Sequence, residues 1–210
     1  MGLTRCATCL AAVAITGLAA IATVTTASAS LAASTAQRAK GCIAITATIP
    51  APAHSEPFWA AVDQKTNTIY VTNDEGNTVS VINGRTNTVV ATIPVGGVPV
   101  GVAANPVTGT IYVTCDGTDV VSVISEQTNT VVATIGAGRA PVGVAVNPRT
   151  NTIYVANFDS NSVSVISGRT NTVKATVRHV PTPAAVAVNP ATNVIYVTNA
   201  FQNTVSVLSG

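Results

Sequence analysis

The chain has 210 residues, of which 9% are charged and 4% aromatic, with ten Lys and Arg against eight Asp and Glu. This length suits one domain with a substantial core, and so small a positive charge excludes nucleic-acid binding that depends on electrostatic attraction. Val and Thr favour pleated strands, whereas Asn, Gly and Pro favour turns. The composition therefore predicts an all-β domain with many short strands.

The first 29 residues are predicted to be an export signal. One positive charge at Arg5 precedes an apolar stretch from Cys6 to Thr26, and the small residues from Ala27 to Ala29 suit signal peptidase. We expect cleavage after Ala29, no transmembrane segment after cleavage, and a secreted or cell-surface protein. An uncleaved membrane anchor is the alternative, because the apolar stretch is long enough to span a bilayer. Residues 30–41 are small, lack periodicity and are predicted to form a flexible linker.

A 42-residue repeat follows the linker, and it predicts a β-propeller spanning residues 42–210. Within the third unit, four strand-like stretches, "VGVAV", "TIYVA", "SVSVIS" and "TVKATV", alternate with turn signals such as "NPRTN" and "GRTN". Four short antiparallel strands per repeat are typical of one propeller blade. The blade units are predicted at residues 56–97, 98–139, 140–181 and 182–210.

The two ends of the repeat predict how the ring closes. The last unit stops after its third strand, whereas "CIAITATIP" at residues 42–50 matches the fourth-strand phrase "TNTVVATIP" that ends at Pro94. We therefore expect residues 42–50 to pair with the last unit, which gives four four-stranded blades and a ring without open edges. Two alternatives remain: an open arc completed by a partner molecule, or a piece of a larger propeller.

The phrases that recur at period 42 carry a resemblance to a known family. They are "YVTN" from Tyr70, "YVTC" from Tyr112, "YVAN" from Tyr154 and "YVTN" from Tyr196, flanked by "VAVNP" and "TNTVVATI". This pattern resembles the YVTN family of β-propeller repeats, whose members occur in archaeal surface-layer proteins and in exported bacterial proteins, commonly with seven blades. We assign the four tyrosines to blade stacking, because equal placement in every unit indicates structure.

Candidate binding residues lie on one face of the predicted ring. Loops between the second and third strands, and the crossings between blades, share one face of a propeller, and here they are the variable part of the repeat. Drift of exposed loops without any function is the alternative. The candidates on this face are His54, Glu56, Trp59, Asp74, Glu75, Asp116, Asp119, Arg139, Phe158, Asp159, Arg178, His179 and Phe201.

The same face is predicted to be acidic and the opposite turns basic. The opposite turns carry Lys65, Arg85, Arg149 and Arg169 against Asp63 and Glu126. Such polarity could orient the molecule on an anionic surface, although it is also typical of an ordinary solvated exterior. Phe58 and Trp59 could join Phe158 and Phe201 in a stacking surface for a sugar or peptide, with packing at the ring axis as the alternative for Trp59.

Catalysis is not expected from this sequence. Only His54, Glu56 and His179 could converge near the mouth of a closed ring, and the inner strands offer no acid or base except Asp63. Cys42 and Cys115 fall in different blades, so we do not expect them to pair.

The sequence thus predicts an exported, non-catalytic scaffold that binds a protein or polysaccharide. No cofactor or metal is expected, and a monomer is favoured over a homodimer. A propeller hydrolase or lactonase and an architectural surface-layer component are the alternatives.

Overall fold

The computed structural model describes residues 45–210, which form strands joined by short turns and one 3-10 helix at Asp116–Thr118. The export signal, the linker and Cys42 lie outside the described residues. Among residues 45–210, no helix has the length and apolar character that crossing a membrane requires. The strands are β1 (Pro57–Asp63), β2 (Thr68–Asn73), β3 (Thr78–Asn83), β4 (Thr88–Pro94), β5 (Pro99–Asn105), β6 (Thr110–Cys115), β7 (Val120–Ser125), β8 (Thr130–Gly136), β9 (Pro141–Asn147), β10 (Thr152–Asn157), β11 (Ser162–Ser167), β12 (Thr172–Arg178), β13 (Pro183–Asn189), β14 (Val194–Asn199) and β15 (Thr204–Ser209).

The strands form four antiparallel meanders that follow chain order. The sheets β1–β4, β5–β8 and β9–β12 have four strands each, and β13–β15 has three. Each sheet lies within one of the predicted 42-residue units. The first strands pack side by side, with β1 against β5, β5 against β9 and β9 against β13. This is the all-β, propeller-like arrangement that the repeat predicted.

Asparagines in the left-handed region make the turns tight. Asn67, Asn77 and Asn87, one in each hairpin of the first blade, have φ angles of 56°, 51° and 55°. Asn tolerates this region better than other residues with a side chain, because its short amide can hydrogen-bond to the nearby backbone. The recurring "TNT" phrases therefore mark hairpins, and they set the register of each blade.

The Asn that ends each "YVTN" phrase ties two strands together beneath the loop. Asn157 is fully buried, and its Nδ2 donates to Ser162 Oγ at 3.2 Å and to Ser164 Oγ at 2.9 Å. Its Oδ1 accepts the N–H of Gly138 at 3.2 Å. In the second blade Cys115 takes this position, and its thiol contacts Ser122 Oγ at 3.5 Å and the carbonyl oxygen of Val113 at 3.7 Å. The second blade thus lacks the amide that secures the others.

Blades stack through two different faces of each sheet. Tyr70, Val79 and Val81 form what we call the forward face of the first blade, and they pack on Ile111 and Val113, part of the backward face of the second. Burial of each such side chain contributes about 1.5–3 kcal/mol. The same contact recurs twice along the chain, through Tyr112, Val121 and Val123 against Ile153 and Val155, and through Tyr154 and Val163 against Ile195 and Val197.

The faces at the two ends of the stack are uncovered, and residues 45–210 show no closed ring. Tyr70, Tyr112 and Tyr154 are 0%, 0% and 3% exposed, whereas Tyr196 is 45% exposed because no blade covers the fourth sheet. Val62, on the backward face of the first blade, is 53% exposed. The four described blades therefore form an open arc.

The predicted sixteenth strand is also missing from the described residues. Residues 45–50 form no strand, and the fourth sheet keeps three strands. Ile49 instead lines a cavity of about 160 Å³ with Val71 and Ile82, on the backward face of the first blade. Burial of Ile49 against this apolar face gives the segment a contact that does not require the fourth sheet.

Replacing Asn157 with Ala should destabilise the fold by about 2–3 kcal/mol, because the buried amide makes three hydrogen bonds and each contributes about 1 kcal/mol. Cys115→Ala is the matched control at the equivalent position, and we expect it to cost less than half as much. Urea unfolding followed by circular dichroism measures both losses. Equal losses would contradict the role given to the amide.

Candidate functional site

The predicted loops and crossings lie together along one edge of the blades. In each blade, the loop between the second and third strands begins with a backbone N–H that donates to a carbonyl. That carbonyl lies in the crossing that precedes the blade. The pairs are Asp74 to Glu56 at 3.0 Å, Asp116 to Val98 at 2.9 Å, Phe158 to Ala140 at 2.8 Å and Ala200 to Thr182 at 2.9 Å. We call this surface the loop edge, and it comprises residues 51–56, 74–77, 95–98, 116–119, 137–140, 158–161, 179–182 and 200–203.

A second set of hydrogen bonds gives Asp119 a structural role. Its Oδ1 accepts the N–H of Ala140 at 2.8 Å, as Asn77 Oδ1 does from Val98 and Asn161 Oδ1 from Thr182. The bond repeats in three blades with either Asn or Asp, so it needs an oxygen acceptor and no charge. Asp119 therefore holds the crossing in place, although its carboxylate remains exposed.

Carboxylates from three blades form an acidic row along the loop edge. Asp74 and Asp116 occupy the same position in the first and second blades, and Asp159 lies one residue further on in the third. Burial raises the pKa of Asp116, and the negative charges of Asp159, Asp119 and Asp74 raise it further. The negative charges of neighbouring blades therefore act on Asp116, as expected for carboxylates on one edge. Glu75 lies beside the row and is exposed.

A polar groove adjoins the row between the second and third blades. It has a volume of about 430 Å³, and Arg139, Arg178 and Ser160 line it. Arg139 lies 3.9 Å from the carboxylate of Asp159, with both side chains largely exposed. An exposed pair at this distance contributes little to stability. The sequence predicted both arginines as separate candidates but missed Ser160, whose only signal was its place in the variable loop "NFDSNS" at residues 157–162.

The aromatic candidates do not form one stacking surface. Phe158 and Phe201 meet edge to face, with ring centroids 6.2 Å apart, at the third and fourth blades. Phe58 and Trp59 lie in β1 of the first blade, so the second blade separates them from Phe158 and Phe201. Trp59 donates its backbone N–H to Thr72 Oγ1 at 3.0 Å, and its side chain is 45% exposed at the uncovered end of the arc. The structure therefore brings two of the four aromatics together and leaves the other two in the first blade.

The histidine candidates are not brought together either. His54 and Glu56 precede the first blade, and His179 lies in the crossing before the fourth. All three are exposed. Their convergence depended on a closed ring, which the blades do not form. Among residues 45–210 there is no group of three or more His, Cys, Asp or Glu side chains placed to hold a metal ion.

Two buried groups considered from the sequence are structural. Asp63 is fully buried at the end of β1, and its Oδ1 accepts the N–H of Lys65 at 2.8 Å, which shapes the following turn. Cys115 is a free, fully buried thiol, and burial raises its pKa. A thiol in that state is a poor nucleophile.

Comparison with known proteins supports the fold. The chain matches no protein-family model and no curated protein. Among solved structures, it is similar to hydrazine synthase of Kuenenia stuttgartiensis, with 22% identity over 80% of this chain and 49% of that one, at a TM-score of 0.70. It is also similar to a functionally unknown protein from Desulfotomaculum acetoxidans DSM 771, with 18% identity over 73% of this chain and 51% of that one, at a TM-score of 0.65. The chain thus spans about half the length of both structures, and the likeness concerns the fold alone.

Replacing Asp116 with Asn should raise the melting temperature at pH 7. Because folding raises the pKa of this carboxyl, the unfolded chain loses the proton first, and stability falls as the pH rises through the carboxyl range. The gain should vanish near pH 3, below the ordinary aspartate pKa of about 3.9. Glu75→Gln, at an exposed site in the first loop, is the control and should change little. A gain that persisted at pH 3 would contradict the electrostatic explanation.

Proposed function

We propose that this protein is an exported β-propeller scaffold of the YVTN type that binds a cationic protein or polysaccharide surface through its loop edge. The observation that carries the proposal is the acidic row of Asp74, Asp116 and Asp159. The loop positions that hold this row differ in side chain from blade to blade, while the hydrogen bonds beneath them are constant.

Variation above a constant framework is what a binding surface requires. The buried Asn residues and the crossing hydrogen bonds fix the backbone of each loop, so the exposed side chains can differ without loss of folding. A rigid row of charges also loses little conformational entropy when it meets a ligand. The loop edge therefore suits recognition of an extended partner better than that of a compact molecule.

Binding is proposed in preference to catalysis because the acidic groups are spread along an edge. A hydrolase needs an acid, a base or a nucleophile that converges on one pocket. The carboxylates of the row come from three different blades, and the guanidinium groups of Arg139 and Arg178 lie in the adjoining groove. The row thus offers a long, shallow contact.

Export and the YVTN identity belong to the same proposal. The apolar leader with small residues at 27–29 and the four tyrosine phrases support them. Complete rings in this family leave both faces of every blade covered.

The test measures binding of a polylysine peptide by isothermal titration at 50 mM salt. The variant Asp74→Asn, Asp116→Asn, Asp159→Asn should bind at least tenfold more weakly, because the row supplies the attraction. Wild-type binding should weaken as salt is raised to about 0.5 M, where screening shortens the range of surface charges.

The control separates the position of the charge from its total. The variant Thr86→Lys, Thr128→Lys, Thr170→Lys also raises the net charge by three, but at exposed turns on the opposite edge. It should keep most of the wild-type affinity. Equal losses in both triple variants would show that net charge alone attracts the peptide, and the proposed face would be wrong.

A further inference from the structure

We propose that two copies of this chain join head to tail, with the forward face of each fourth blade packed on the backward face of the other copy's first blade. The uncovered forward face carries Tyr196, Val205 and Val207, which are 45%, 57% and 62% exposed. The uncovered backward face includes Val62, which is 53% exposed, and the half-buried Val71. Two such contacts would complete a ring of eight blades.

The contact is one that the chain already makes three times. Each internal junction buries a forward Tyr and Val on a backward Ile and Val, and the two end faces carry the same residue types at the same repeat positions. In the fourth sheet, Ile195 and Val197 are buried against the third blade, whereas Tyr196 between them points away and is exposed. The forward face of the fourth blade thus lacks a backward face to pack on, and the first blade of a second copy supplies one.

Hydroxyl groups that bond across two internal junctions have a counterpart in the last blade, Thr198, whose Oγ1 accepts the N–H of Ala185 in its own sheet at 2.9 Å. Thr72 Oγ1 donates to the carbonyl of Val100 in the next blade at 2.8 Å, and Thr114 Oγ1 donates to that of Val142 at 2.7 Å. The equivalent Thr198 is exposed. Its counterpart across a head-to-tail junction would be the carbonyl of Phe58 in the second copy.

Side-chain amides on the edge opposite the loop edge also bond between neighbouring blades, and they too have counterparts at the two ends of the arc. Asn105 Nδ2 donates to Asn151 Oδ1 at 2.9 Å, and Asn147 Nδ2 donates to Asn193 Oδ1 at 2.6 Å, both between neighbouring blades. The next pair in this series is Asn189 with Asn67 of a second copy. Asn189 and Asn67 are both exposed in the single chain. A donor and its acceptor are thus present at opposite ends of the arc, in the register that the repeat sets.

The segment around Ile49 fits the same junction. In the first blade, β4 places Ile93 opposite Val79 and packs it on the second blade. Ile49 is the equivalent residue in the phrase "ATIP", and it lines the same cavity as Val71 of the first blade. In a head-to-tail pair this segment would run beside the free edge of β15 in the second copy, with Ile49 opposite Val205, and would serve as its fourth strand.

A groove at the fourth blade marks where that strand is missing. Tyr154, Val165, Ile195 and Leu208 line a cavity of about 330 Å³ beside the last strand. The corresponding cavity between the first two blades, where a fourth strand is present, is about 110 Å³. An added strand would narrow this groove and pair the open edge, which is otherwise prone to aggregation.

The pairing would also unite the proposed binding surfaces. Head-to-tail packing relates the copies by rotation about the ring axis, so both loop edges lie on the same side of the ring. Two acidic rows would then share one face. The assembly itself does not depend on the proposed function, because the residues of the junction lie outside the acidic row.

The first experiment measures mass by light scattering over a range of protein concentrations. We expect twice the mass of one chain. Val205→Asp with Val207→Asp should give single copies, because two charges would be buried in the junction. Val90→Asp with Val132→Asp is the matched control, since both valines are 57% exposed on fourth strands, and it should remain paired.

The second experiment tests the head-to-tail geometry by mixing. Ala60→Lys with Val62→Lys should also give single copies, because two lysine charges would be buried at the backward face. In a mixed pair these lysines would lie opposite the aspartates of the other variant at the second junction. When this variant is mixed with the Val205→Asp, Val207→Asp variant, one intact junction can form, and pairs should return. A symmetric contact between like faces would not be restored in this way.

Each outcome decides the proposal. Doubled mass, loss of pairing in both face variants and its return on mixing support it. A wild-type chain that stays single would overturn it, whether its own N-terminal segment or a different protein covers the end faces. A mass above two copies, or no recovery on mixing, would overturn it as well.

Discussion

The contact between the forward face of one blade and the backward face of the next determines this structure. A single four-stranded meander cannot bury both of its faces, so its Tyr and Val side chains gain stability only when another blade covers them. Burial at three internal junctions accounts for the core, which lies between sheets and not within them. The tyrosines recur at period 42 because each fills the same place in that contact.

The same contact explains why the end blades differ from the internal ones. Tyr196 has the sequence context of Tyr112 but not its surroundings, and its exposure follows from the absence of a following blade. A repeat that encodes its interface in every unit also encodes it in the last one. The uncovered faces are therefore complementary to each other before any partner is considered, and this is the physical basis of the proposed pair.

Much of the fold could be predicted from the sequence, because the repeat determines it locally. The hairpins follow from Asn at left-handed positions, and the blade boundaries follow from period 42. Ring closure could not be predicted, because the number of blades per turn depends on the angle between sheets, and no local pattern encodes that angle. The phrase at residues 42–50 predicted a fourth strand for the last blade, but the residues described from 45 to 50 form no strand.

For the candidate site, the sequence predicted where the loops lie but not the roles of all their residues. That the variable loops share one edge followed from the topology of a meander, and the structure places them there. The grouping of Trp59 with Phe158, and of His54 with His179, stays a prediction, because both depend on the ends of the chain meeting and residues 45–210 show no closed ring. The structural role of Asp119 was hidden, since an Asp in a loop resembles a ligand until its hydrogen bond to Ala140 is seen.

The most direct test of the account compares the free energies of unfolding of Tyr112→Ala and Tyr196→Ala, in a chain kept as single copies by Val205→Asp and Val207→Asp. The account predicts a loss of about 3–5 kcal/mol for the tyrosine buried between blades and less than about 1 kcal/mol for the exposed one. Equal losses would contradict it, because they would mean that the tyrosine stabilises its own blade and not the contact between blades.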